Sequence, residues 1–186
     1  MNAMLSLWLP VLLGAGVVFF LSSLIHMVFK WHQADYRGLD REDAVRNAIH
    51  GSQPTPGHYV LPYCQDMKEM AGEAMQQKYR EGPTGFLTIV PGGPPRLGRT
   101  LGLWFGLTLA VAGAAALLAV QAYGLGPARA HEAGRLAGIV TFLAYGTGSF
   151  CESIWLGRPW ATTGRYLLDA VLYGIGSGLV FAWLWP

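Results

Sequence analysis

The chain has 186 residues, of which 52% are hydrophobic and only 13% charged, with 25 Gly, 7 Trp and a formal net charge of +2. A soluble domain carries about 25% charged residues, so this composition excludes a disordered chain, a nucleic-acid module and an ordinary soluble enzyme. The apolar residues cluster in long runs without charge, which points to an integral membrane protein whose first partner is the lipid bilayer.

Crossing a bilayer takes about 20 apolar residues of helix. Four segments qualify: Leu5 to Phe29, Leu101 to Tyr123, Leu136 to Trp155 and Tyr166 to Trp185. The first has no positive n-region, and its Lys30 follows the apolar run, so it reads as a retained anchor rather than a secretory signal. The expected fold is an all-α membrane protein: a four-transmembrane-helix bundle with a small α+β cytoplasmic insertion between helices 1 and 2. The expected division is 1–30 for the first helix, 31–100 for a cytoplasmic mini-domain and 101–186 for the other three helices.

Orientation follows from the 13 Lys and Arg residues, all outside the apolar cores. Nine lie between the first two spans, and Arg158 and Arg165 lie at the link between the last two. Only Arg129 and Arg135 fall on the other side. The positive-inside rule then puts both termini outside and the 31–100 loop in the cytoplasm. Cys64 and Cys151 form no ligand pattern and face no oxidising compartment by this topology, so they are expected as free thiols.

Within 31–100, Asp40 reads as the N-cap of a helix running to about His50, which Gly51, Pro54, Pro56 and Gly57 would break. His58 to Tyr63 reads as extended, Met67 to Tyr79 as helical, and Gly85 to Val90 as the clearest strand. The Gly-rich stretch from Pro91 to Gly98 lacks the Gly-Lys-Ser/Thr ending of a phosphate loop and reads as a rigid linker. So small a segment buries little core, and it is expected to lean on the bundle or on a partner.

Three GxxxG pairs mark candidate close helix contacts: Gly102 with Gly106, Gly134 with Gly138, and Gly174 with Gly178. They suit compact internal packing or a surface for another subunit. Trp8, Trp104, Trp155, Trp160, Trp183 and Trp185 fall near expected interfaces, where aromatic anchors belong.

The most informative residues are polar ones at membrane depth. Ser22, His26 and Lys30 share one face of the first span; Thr141, Tyr145, Ser149 and Glu152 line the third; Arg165, Asp169 and Tyr173 line the fourth. His26, Glu152, Arg165 and Asp169 come to one depth near the cytoplasmic interface. They are the candidate ligand or proton site, with Arg165 pairing Glu152 or Asp169 and His26 pairing an acid. The plainer reading is ordinary pairing at helix ends. His32 and Asp35 sit on one helical face below the membrane and, with His26 or His50, could hold a metal; a solvated juxtamembrane face is the plainer reading. The spacing of His58, Cys64 and Asp66 fits no zinc pattern. His26 has no partner histidine at matching depth for a haem. No catalytic triad or HExxH motif is present. The expectation is therefore no catalytic residue, no metal and no cofactor.

Ser22-Ser23 through His26 with Asp35-Tyr36-Arg37, Gly85 to Pro91 leading to Leu103-Trp104-Phe105, and Ser153-Ile154-Trp155 with Arg158-Pro159-Trp160 together resemble a family of small, uncharacterised bacterial four-span membrane proteins. The resemblance spans nearly the whole chain. It implies a bacterial cytoplasmic (inner) membrane and carries no activity, cofactor or functional residue.

The expected function is a non-enzymatic accessory or assembly subunit, packing as a homo-oligomer or in a larger membrane complex, with no nucleic-acid partner. The alternatives are a small proton-coupled transporter or ion-conducting oligomer using the inner-leaflet cluster, and a lipid- or quinone-binding membrane enzyme.

Overall fold

The computed structural model describes residues 6–186. Leu5, the expected start of the first span, lies outside the described residues. In chain order the elements are α1 (Trp8–Leu24), α2 (Glu42–Gly51), β1 (Gly57–Leu61), α3 (Met67–Met70), α4 (Glu73–Glu81), β2 (Gly85–Ile89), α5 (Leu97–Tyr123), α6 (Ala130–Leu156) and α7 (Trp160–Leu184). They form two units, one of residues 6–36 with 96–186, the other of residues 37–95. Residues 31–36 and 96–100, assigned to the soluble segment from the sequence, thus belong with the long helices.

Among the described residues, three helical stretches are long and apolar enough to cross a membrane: Trp8–Phe29, Leu97–Tyr123 and Trp160–Leu184. The fourth long helix, α6, is as long as α5 but less apolar, because it carries Glu132, Arg135 and Glu152 and is rich in Gly, Ser and Thr. It packs along α7 from end to end. A Cβ at Gly134 would lie 2.6 Å from the Gly178 carbonyl oxygen, and one at Gly138 would lie 2.8 Å from that of Gly174. Nearer the α6–α7 turn, Gly146 faces Ala170 and Ser153 hydrogen-bonds Thr163.

Gly102 and Gly106 behave differently from the other two pairs. A Cβ at either would meet nothing within 4 Å, so this GxxxG makes no close contact with any described residue. The reason is the face on which it lies: α5 turns Thr108, Ala112, Ala115, Ala116 and Ala119 inward instead. These alanines pack with Ala15, Ala133, Ala137 and Phe181 into the apolar core, and Trp185 joins them, buried rather than anchoring at a surface.

Helix α1 does not end as a regular helix. It continues as a π-helical turn over Ile25–Phe29, and Lys30 then takes left-handed backbone angles (φ 54°). A side chain bearing a Cβ rarely adopts that conformation. Here it reverses the chain, so that a 3₁₀ turn over Trp31–Asp35 tucks back against the helices.

In the second unit, β1 and β2 pair antiparallel, Gly57 opposite Ile89 and Leu61 opposite Gly85. Asp40 is not the helix cap: α2 starts at Glu42 behind Arg41, with no side-chain cap. The expected single helix from Met67 is two, α3 and α4, separated at Ala71 and Gly72. None of the residues of α2 or α4 is buried within this unit.

Candidate functional site

The reversal at Lys30 carries His32 into the interior, where it is only 6% exposed. Its two ring nitrogens each meet a carboxylate: Nδ1 lies 2.7 Å from Asp35 Oδ2, and Nε2 lies 2.8 Å from Asp169 Oδ2. Asp169, on α7 and 2% exposed, also accepts a hydrogen bond from Trp31 Nε1 at 3.0 Å. Asp35 accepts from Thr162 Oγ1 at 2.7 Å and from the Arg165 guanidinium. His26 stacks on His32, ring centres 4.8 Å apart, with its Nδ1 set 2.9 Å from the Ser22 carbonyl oxygen. Tyr166 covers another side of His32, with ring centres 4.7 Å apart.

This arrangement has a definite proton count. A neutral imidazole offers one N–H, whereas a carboxylate is acceptor-only. Both nitrogens of His32 face carboxyl oxygens, so both contacts become hydrogen bonds only when one more proton sits on the imidazole or on a carboxyl group. With the imidazole charged, two carboxylates, His32 and Arg165 form a set of zero net charge, the condition under which buried charges are tolerated. Burial pushes the Asp35 carboxyl up, but the hydrogen bonds from Thr162 and His32 and the charges of Arg165 and His32 outweigh it. They hold the group below its ordinary value.

Of the four residues expected to form the site, Asp169, Arg165 and His26 lie in or against this network, and Glu152 does not. Glu152 pairs with Arg158 in a half-exposed ion pair at the α6–α7 turn. Ser153, one position on, takes the inward direction instead. The expected partners also change: Arg165 binds Asp35, and His26 meets a backbone carbonyl rather than an acid. His32 and Asp35, read as a solvated face, are buried at its centre. Trp31 and Thr162 join the network as donors that no motif or spacing in the sequence marks. The signal available in the sequence was the i,i+3 pair His32 and Asp35, here bonded to each other.

His26, His32 and Asp169 each bring one possible metal-ligand atom within 4.8 Å of the others. The two imidazole rings are parallel to within 10°. An ion about 2.1 Å from a ring nitrogen lies close to that ring's plane, so one ion cannot lie in both planes of a parallel stack unless a ring turns. As it stands, the geometry is that of a hydrogen-bonded network.

A seam of buried hydroxyls leads from the network into the bundle. Along α6 it comprises Ser153, Ser149, Tyr145 and Thr141, and along α7 Thr163, Tyr173 and Ser177. Trp104, expected near an interface, instead turns inward and donates to Ser22 at 2.9 Å, with its ring beside Tyr145. The Tyr145 and Thr141 hydroxyl oxygens are buried without a hydrogen-bond partner among the described residues. No protein-family model, curated protein or solved structure matches this chain.

Proposed function

We propose that the chain is a four-span protein of a bacterial cytoplasmic membrane, with both termini outside, that binds and passes protons at His32. The observation that carries this reading is the buried imidazole held between two carboxylates from different elements, Asp35 and Asp169. Intramembrane ionisable groups that pair with one another are the usual components of proton relays, and the hydroxyl seam beyond Asp169 supplies groups that both donate and accept. His32 is faced by Asp35, His26, Asp169 and Tyr166, with Arg165 behind Asp35.

The fourth span is supported by the packing of α6 along the whole of α7, a helix apolar enough to cross. A 27-residue helix is about 40 Å long, and residues 136–151 carry no charge. The Lys and Arg distribution supports the orientation.

A second reading, a packing subunit of a homo-oligomer or larger complex, is favoured by the smooth outer face that Gly102 and Gly106 leave on α5. Proton flux into liposomes containing the purified chain and a trapped pH-sensitive dye separates the two. A proton-passing protein conducts above empty vesicles, loses flux with His32→Gln or Asp169→Asn, and keeps it with Glu152→Gln. Flux equal to that of empty vesicles, or indifferent to His32→Gln, contradicts the proton reading.

A further inference from the structure

At the end of the α6–α7 pair away from His32, the glycines that bring the two backbones together leave a groove between the flanking side chains. Its floor is Gly134, Gly138, Gly174 and Gly178, and its walls include Phe142 and Ile175. Its volume is about 490 Å³, inside the range of about 300–1,000 Å³ typical of small-molecule sites. The lining is apolar except at one end, where His131 and Arg135 stand one helical turn apart. Arg135 is exposed and makes no ion pair or hydrogen bond with any described residue. The neighbouring acid, Glu132, is engaged instead with Arg129 at 3.5 Å.

We infer that this groove binds an anionic phospholipid of the bilayer, its acyl chain along the glycine floor and its phosphate against Arg135. Two features select that occupant over a protein helix. The groove runs only about 10 Å along α6 from Arg135 to Phe142, and its single unpaired cation stands at the end nearest the start of α6, at the expected edge of the hydrocarbon. An arginine there reaches the headgroup layer while its stem covers apolar surface, and its unpaired guanidinium matches the charge of a phosphate; by the orientation proposed above, the lipid belongs to the outer leaflet. The inference rests on the four-span reading for the depth of the groove, and is independent of proton passage.

The test is native mass spectrometry of the full chain released from mild detergent with equal amounts of phosphatidylglycerol and phosphatidylcholine. The wild type is expected to retain phosphatidylglycerol preferentially. Arg135→Gln is expected to lower that preference about fivefold, the effect of one cation near a headgroup. Ile175→Trp fills the groove from an exposed wall and is expected to lower retention of both lipids. Equal retention of the two lipids by the wild type, or retention unchanged in both variants, overturns the inference. Labelling of Ile175→Cys by a membrane-impermeant maleimide in sealed vesicles would overturn it by a separate route, because the groove would then face water and the span assignment would fall with it.

Discussion

The two ends of the α6–α7 pair are closed by opposite chemistry. At one end, Gly134 and Gly138 meet Gly178 and Gly174 backbone to backbone, with carbonyl oxygens where any Cβ would have to go. At the other, the same helices meet through the Ser153 and Thr163 hydroxyls, and Asp169 receives His32 from the chain beyond α1. The glycine end gains from dispersion contact, which in lipid must replace the hydrophobic effect. The polar end gains only if every buried charge finds a partner, and it loses heavily when one is removed. Stability is therefore spread along the pair, whereas the buried ionisable groups His32 and Asp169 are gathered at one end.

Breaking the polar end is expected to cost most. Asp169→Ala leaves His32 and Trp31 without their shared acceptor, and thermal unfolding in detergent should lose about 3–5 kcal/mol. At the glycine end, Gly138→Leu must push apart backbones already in contact and is expected to cost about 1–3 kcal/mol in the same assay, with proton flux falling less than with Asp169→Asn. Acid sharpens the contrast. Because the Asp35 value is held below its ordinary 3.8, its contribution is fully present above that value and is lost as pH falls through the lower, folded one. The stability gap between the wild type and Asp35→Asn should therefore close on acidification, while the gap to Gly138→Leu stays open. The smallest effects belong to groups outside both ends. Glu152→Gln removes a half-exposed ion pair and should change stability by about 0–1 kcal/mol. Gly102→Ala meets open space and should be neutral or stabilising by up to about 1 kcal/mol; a clear loss would instead mark that face as a contact with a second chain.

The same contrast explains what the sequence made legible. Long apolar runs located α1, α5 and α7 because hydropathy reports directly on solubility in lipid. Helix α6 extends from Ala130 to Leu156, beyond its apolar run, because helical hydrogen bonding continues through charged ends that lipid would reject. The identical GxxxG spacing of Gly102 with Gly106 and of Gly134 with Gly138 had different outcomes, since spacing defines a face but not what the face meets. Asp169 and Arg165 were legible as ionic groups on one stripe of a helix. The roles of His32 and Asp35 were not, because they depend on the reversal at Lys30, a left-handed residue without the glycine or asparagine that would announce it. Glu152 and Ser153 differ by one position, and a helix turns about 100° between them; a periodicity argument assigns a face no more finely than that.

Proton passage as proposed requires His32 to exchange a proton while held between Asp35 and Asp169. Nitrogen-15 solid-state NMR of the His32 ring, recorded in bilayers across a pH series, tests it most directly. If His32 carries the proton, the ring nitrogens change protonation over the pH interval in which liposome flux changes, and Asp169→Asn shifts or abolishes that change. A His32 ring whose nitrogens stay constant while flux varies with pH would contradict it.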